Sequence, residues 1–310
     1  MKTLLRTWFL ILAILLLQAP KIWAQIMPFD SITSYLMIYD LETKTSRVVY
    51  KVHSHFEAPN WTRDGNFLVV NSHGRLFKKI AFGCDEPSRI ESGEAVKCNN
   101  DHGYSPDGKL LAVSHNKEGK SIIYVLPATG GEAKQVTVEG PSYWHGWSPD
   151  GNTLAYCASR NNEFDIYTIP VSGGTETRLT SAPGLDDGPD YSADGKWIYF
   201  NSERSGHMQI WRMHPDGSAQ EQVTKGEMND WFAHPSPDGK WIVFISFDKD
   251  VKGHPANKNV VLRMIPTAGG EPKELVKLFG GLGSMNVPSW SPDSKKFAYV
   301  KYELPEKKNQ

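Results

Sequence analysis

The chain has 310 residues, enough for one large domain or two ordinary ones. Its 34 Lys and Arg stand against 35 Asp and Glu, a formal net charge of -1, which lacks the basic excess of a dedicated nucleic-acid binder. Aromatic residues make up 11% of the chain, including 10 Trp, a composition that favours many short strands packed face to face.

Residues 1–24 read as a unit of their own. Lys2 and Arg6 give a basic start, an apolar run follows from Trp8 to Leu17, and a polar, Pro-containing stretch ends at Ala24-Gln25. This is the three-part layout of a secretory signal peptide, with cleavage after Ala24. The apolar run falls short of the ~20 residues that span a bilayer. No other segment is apolar enough to cross a membrane. The expectation is therefore a signal peptide over 1–24, a short linker over 25–32 and a soluble, monomeric product over 33–310. Its place would be the periplasm, with no stable membrane insertion after cleavage. Export permits disulfides. Cys84 and Cys98 are close enough in sequence to bridge within one blade, whereas Cys157 lies in an apolar strand and reads as a small core residue. The absence of a Cys-x-x-Cys pair leaves a zinc ribbon or redox motif unsupported.

From residue 61 onward one short unit recurs. It reads Trp61-Thr-Arg-Asp-Gly65, Tyr104-Ser-Pro-Asp-Gly108, Trp147-Ser-Pro-Asp-Gly151, Tyr191-Ser-Ala-Asp-Gly195, Pro235-Ser-Pro-Asp-Gly239 and Trp290-Ser-Pro-Asp-Ser294. The Ser or Thr falls at 62, 105, 148, 192, 236 and 291, with spacings of 43, 43, 44, 44 and 55. Pro presets φ for a tight turn, Asp caps its own backbone, and Gly takes the positive φ that closes a hairpin. An apolar strand follows each turn, such as Leu110–Val113 or Trp197–Phe200. A second strand comes next, such as Ile122–Leu126 or Gln209–Met213, then a Gly-rich turn and a polar strand such as Thr177–Thr180. With the short segment carrying the Trp or Tyr, this makes four strands per repeat, the size of a propeller blade. The pattern predicts an all-β, six-bladed β-propeller. The chain runs out on Phe297–Tyr302, the second strand of a sixth blade. Tyr35–Tyr39 and Arg47–Tyr50 are left to supply its third and fourth strands, so the two termini close the ring. The long last spacing predicts an insertion in the fifth blade around 249–259.

The unit and its spacing resemble the propeller of TolB-like proteins, and more distantly those of prolyl-oligopeptidase-like enzymes and oligogalacturonate lyases. The resemblance covers the whole segment after the signal peptide. It implies the fold; function does not follow from it, because one fold hosts many activities. An oligopeptidase would carry an α/β-hydrolase domain and a Gly-x-Ser-x-Gly elbow. Gly146-Trp-Ser-Pro-Asp is a blade turn instead, so serine peptidase activity is not expected. TolB would carry an N-terminal α/β domain where this chain offers only the short linker. Gly280-Gly-Leu-Gly283 lacks the Gly-Lys-Ser/Thr of a phosphate loop.

Candidate site residues lie just before each turn, where the chain enters the innermost strand at the channel mouth. Pro stands three residues before the Ser or Thr in the first, fourth and sixth units (Pro59, Pro189, Pro288), whereas the second and third have His102 and His145. Adjacent blades should bring these two rings together. Glu57, Asn100, Asp101, Trp144, Asp187, Asp230, Trp231 and Asn286 gather in the same loops. Flat indoles beside amides and carboxylates suit a carbohydrate, a peptide or a protein segment. His102, His145, Glu57 and Asp187 could instead hold a divalent metal such as Mn, Ca or Zn. Oligogalacturonate lyases place a metal in a comparable channel, so the resemblance adds a metal-dependent polysaccharide lyase or hydrolase, with His102 and His145 as acid–base candidates. A scaffold without a small-molecule site is the third alternative. His234 sits one place nearer the turn and should point the other way, while His207 and His254 read as solvated loop residues.

Overall fold

The computed structural model describes residues 31–305. The signal-peptide reading of 1–24 and all but the last two residues of the linker lie outside the described residues. The chain begins with β1 (Thr33–Asp40) and β2 (Thr45–Val52). The first full blade is β3 (Glu57–Trp61), β4 (Phe67–Ser72), β5 (Arg75–Ile80) and β6 (Ser88–Ile90). The second is β7 (Cys98–Tyr104), β8 (Leu110–Lys117), β9 (Lys120–Pro127) and β10 (Lys134–Gln135). The third is β11 (Ser142–Trp147), β12 (Thr153–Arg160), β13 (Glu163–Pro170) and β14 (Thr177–Arg178). The fourth is β15 (Asp186–Tyr191), β16 (Ile198–Ser202), β17 (Gln209–Met213) and β18 (Glu221–Gln222). The fifth is β19 (Asn229–Pro235), β20 (Trp241–Phe247), β21 (Ala256–Pro266) and β22 (Lys273–Gly281). The last strand, β23 (Lys296–Glu303), pairs antiparallel with β1 from Thr33 opposite Glu303 to Asp40 opposite Lys296. Trp290 bridges Phe297 and stands where an inner strand would be, so the sixth blade is made from both ends of the chain, as the repeat predicts.

The six turns share one hydrogen-bond pattern. The Ser or Thr hydroxyl donates to the Asp two residues on, at 2.5–2.7 Å in Thr62–Asp64, Ser105–Asp107, Ser148–Asp150, Ser192–Asp194, Ser236–Asp238 and Ser291–Asp293. The same oxygen accepts the backbone N–H five residues on, as Leu110 N–H gives to Ser105 and Trp197 N–H to Ser192. The Asp also caps the N–H of the residue after the Gly, so each carboxylate is most useful ionised. Those bonds hold Asp107 and Asp194 down to about 2.

The core is a set of layers between blades. Val69, Leu76, Leu111 and Val113 fill the layer between blades one and two; Ile198, Phe200, Ile166 and Leu179 fill that between three and four; Tyr199, Ile210, Ile242 and Phe244 fill that between four and five. A strand buried on both faces reads as a continuous apolar run, which is how Leu154–Ala158 and Ile242–Ile245 appear in sequence.

One position ties each of the first four blades to the next. Nine residues after the Ser or Thr stand Asn71, Ser114, Cys157 and Asn201. Asn71 Nδ2 donates to the carbonyls of Cys98 and Asn99 at 3.0 and 2.6 Å. Ser114 Oγ accepts the Trp144 N–H at 2.8 Å, and Cys157 Sγ donates to the Asp186 carbonyl at 3.3 Å. Asn201 Oδ1 accepts the Phe232 N–H at 3.1 Å. These bonds are needed because each of the five inner strands β3, β7, β11, β15 and β19 breaks its register with β-bulge geometry at this level, freeing main-chain groups from the ladder.

Two expectations are corrected. Cys84 is exposed between β5 and β6 of blade one, while Cys98 is buried at the start of β7 in blade two and donates to the Ala95 carbonyl at 3.1 Å. A blade boundary separates them, and both are free thiols. The insertion is also spread more widely than 249–259: it comprises a 248–255 arm, the 11-residue β21, the 9-residue β22 and a 3-10 turn at Leu282–Ser284.

Asn201→Ala leaves the Phe232 N–H buried without its acceptor. The expected loss is about 1–3 kcal/mol of unfolding free energy, the cost of an unsatisfied buried donor, read from urea denaturation.

Candidate functional site

The inner strands begin at one face of the ring, and there a pocket of about 430 Å³ opens. Its polar floor comes from Asn99, Asn100, Asp101, His145 and Asp187; Tyr143, Phe164, Leu185, Phe232 and Leu282 form an apolar wall; Cys157 and His254 complete it. That volume and mixture suit a small ligand or a side chain of a larger one.

Asp187 is the hub. His145 Nε2 lies 3.2 Å from its Oδ1, His254 Nε2 lies 3.6 Å from its Oδ2, and the Gly188 N–H donates to Oδ1 at 2.7 Å. The three side chains come from blade three, blade four and the arm of blade five. Burial alone would raise the Asp187 carboxyl, but the His145 bond and the two imidazoles hold it below its ordinary value. Burial likewise lowers His145, but the Asp187 bond and the charges of Asp101, Asp187 and Asp190 outweigh it and raise the ring above its usual range. His145 is 3% exposed and lies flat against Phe232, centroids 5.6 Å apart. Phe232 achieves this with φ 54, the left-handed conformation that costs an L-residue roughly 1–2 kcal/mol.

Asp101 anchors the other side of the floor. Asn99 Nδ2 donates to its Oδ2 at 2.6 Å and Asn286 Nδ2 reaches its Oδ1 at 3.2 Å from the sixth blade. Burial pushes this carboxyl up to about 6. Glu57 keeps some exposure, but its carboxyl end is walled by Gly283, where a Cβ would stand 2.6 Å from Glu57 Oε2 and 2.7 Å from the Tyr302 hydroxyl. Burial and the nearby Asp101 charge push it up to about 8, so it is mostly protonated at neutral pH.

The structure divides the other sequence-predicted residues. His102 is 0% exposed and turns back toward blade one, its Nε2 3.4 Å from the Val69 carbonyl. A carbonyl accepts, so Nε2 carries the proton, and burial lowers the ring to about 4. It therefore does not meet His145: identical positions in the repeat point to opposite places because the second inner strand bulges earlier. Asp230 is taken by Arg263 at 3.1 Å and Ser246 at 2.6 Å, as Asp186 is by Arg204 at 2.7 Å. Trp231 lies beneath the His254 ring, 4.4 Å between centroids, and Trp144 packs over Gly103, where a Cβ would stand 2.2 Å from its Cη2. His254, read as solvated, is instead mostly buried against Trp231, Phe232 and Asp187. His234 is buried with its Nδ1 3.1 Å from Asp190 Oδ2.

The metal expectation needs His102, His145, Glu57 and Asp187 to converge. His102 faces away, and among the described residues no three His, Cys, Asp or Glu side chains are placed to hold an ion. At the opposite face, Trp61, Tyr104, Trp147, Tyr191 and Trp290 ring a second cavity of about 260 Å³ beside Arg63 and Asp190.

With this geometry in place, comparison with known proteins is informative. Residues 144–267 match the TolB beta propeller domain family. The protein Atu1656 of Agrobacterium fabrum strain C58 is 50% identical over 276 residues, spanning 89% of this chain and 94% of that protein. The chain belongs to the TolB-like β-propeller family. A solved structure assigned as a TolB from Agrobacterium tumefaciens superposes with a TM-score of 0.86 at 50% identity, covering 88% of this chain and 99% of that one. TolB from Acinetobacter baumannii gives 0.63 at 18% identity, covering 82% of this chain and 66% of that one, a likeness of fold. An oligogalacturonate lyase in complex with manganese gives 0.52 at 12% identity over 91% and 96% of the two chains, again a likeness of fold.

The raised carboxyls set a pH dependence. A folded Glu57 near 8, against ~4.3 unfolded, holds a proton that the unfolded chain releases. Stability is thus fully present below ~4.3 and lost as pH rises to about 8; Asp101 adds a loss of the same sign up to about 6. The thermal midpoint should fall between pH 6 and 8, and Glu57→Gln should flatten that stretch. A midpoint that rises across this interval in the parent protein contradicts the assignment.

Proposed function

We propose that this TolB-like propeller is an exported, periplasmic recognition module that takes a segment of a peptide, protein or carbohydrate in the pocket where the inner strands begin. The observation that carries this reading is the 430 Å³ pocket itself, with convergent amides, carboxylates and imidazoles on one side and an apolar wall on the other. Such a division lets apolar contact supply affinity while directed hydrogen bonds supply orientation. The strained Phe232 and the two raised carboxyls cost stability without helping the fold, which is the usual mark of a working site. The basic start and apolar run of residues 2–17 support export, and no helix among the described residues is long and apolar enough to cross a membrane.

The pocket wall can be tested without disturbing the core. Tyr143 and Leu185 are only partly buried. Calorimetric titration with a panel of short peptides and oligosaccharides should find ligands whose affinity falls at least tenfold in Tyr143→Ala. Ligands unaffected there but lost in Arg63→Glu would move the site to the opposite face.

A further inference from the structure

The lining of the pocket has a pronounced charge bias. It includes two carboxylates, Asp101 and Asp187, and neither a lysine nor an arginine. Asp187 has its partners in the imidazoles of His145 and His254. Asp101 has no such partner of its own: both of its side-chain donors, Asn99 and Asn286, are neutral amides. A buried carboxylate without a paired cation is costly, and a ligand cation would relieve that cost. One polar atom waits beside it: Asn286 Oδ1 has no partner although its residue is fully buried, so it and the Asp101 carboxylate both call for a donor. Around them stand the rings of Tyr143, Phe164 and Phe232, whose faces attract cations, and the side chains of Leu185 and Leu282.

We infer that the pocket takes a primary ammonium group carried on an apolar stem, the chemistry of a lysine side chain or an alkylamine, with the ammonium at Asp101 and the stem along the apolar wall. This rests on the recognition reading of the same pocket. An ammonium fits better than a guanidinium. The planar fork of an arginine wants two free oxygens of one carboxylate, and here both oxygens of Asp101 and both of Asp187 already have partners. A compact charge with three separately aimed donors can use the leftover lone pairs of Asp101 together with Asn286 Oδ1. A bare metal ion would need three gathered ligands, which the described residues do not supply.

The groups facing Asp101 are Glu57 from β3, His145 from β11, Cys157 from β12, Asp187 from β15 and Asn286 from the sixth blade. Glu57, raised to about 8, Asp101, raised to about 6, and His145, raised above its ordinary value, all make the site less negative as pH falls, so binding should weaken from pH 7.5 to 5. The test is isothermal titration of the mature chain at pH 7.5 and low salt. Nα-acetyl-lysine methylamide and pentylammonium are the probes, and Nα-acetyl-norleucine methylamide and pentanol are their neutral counterparts. The charged member of each pair should bind at least tenfold more tightly, and Asp101→Asn should remove that preference while thermal melting shows the fold intact. Binding of the lysine compound alone assigns the source as a polypeptide side chain, and binding of both assigns amines in general. Tyr143→Ala should weaken the amines as well, which guards against misfolding in the carboxylate variant. Equal affinity for charged and neutral members, or an undiminished preference in Asp101→Asn, overturns the inference. If neutral peptides or glycans bind and are lost in Tyr143→Ala, the recognition reading stands and the amine falls; if nothing binds, both fall.

Discussion

Everything in this molecule depends on closing the ring. A blade is apolar on both faces and has no core of its own, so each must be covered by two neighbours. The eight-residue pairing of β1 with β23, from Thr33–Glu303 to Asp40–Lys296, supplies the cover for the first and fifth blades. On one side, Leu36, Ile38, Ala298 and Val300 meet Leu68, Val70 and Phe77; on the other, Met37, Tyr39, Phe297 and Tyr299 meet Val243 and Ile245. The residues joined are hundreds of positions apart, so the loop-closure entropy is met late and by one contact set. The pocket uses the closure too: Asn286 of the sixth blade reaches Asp101 of the second across the ring.

The site occupies the part of each blade where regular pairing gives way. The inner strands bulge, and the released backbone groups are handed to Asn71, Ser114, Cys157 and Asn201 of the preceding blade. Once freed from the ladder, a side chain such as Phe232 can turn against the pocket. The same step commits Cys157 to a hydrogen bond and burial, which raises its thiol well above the usual range and makes it inert at neutral pH. Two neighbouring carboxylates in blade four show the logic of alternation: Asp186 faces an interface and pairs with Arg204, while Asp187 faces the pocket and pairs with His145.

Much of this was legible in the residues. The Ser-Pro-Asp-Gly unit carries its turn geometry in its own chemistry, so the number of blades, their boundaries and the closure by both termini follow from spacing alone. The neighbourhood of the site was legible too, since Asp101, Asp187 and His145 all line the pocket. What spacing could not convey is where a bulge falls. A shift of one residue reverses a side chain, and that is why His102 went to the Val69 carbonyl; Asp230, the equivalent of Asp186, went to Arg263 by ordinary alternation. His254 was hidden differently. The 55-residue spacing announced extra chain in blade five, but only the folded arm, held by Asn229 bonds to the carbonyls of Asp248, Lys249 and Val251, brings that ring over Trp231. Cys84 and Cys98, close enough in sequence to bridge, lie on either side of a blade boundary and are free thiols.

His102 and His145, equivalent in the repeat, do opposite work, one as a buried structural donor and one at the floor of the pocket. Side-chain nitrogen NMR of the two rings across pH tests it directly. His102 should stay neutral with its proton on Nε2 down to about pH 4, while His145 should gain its second proton above the ordinary histidine range and shift when ligand binds. Two rings that titrate together near 6.5, the ordinary value, would contradict the account.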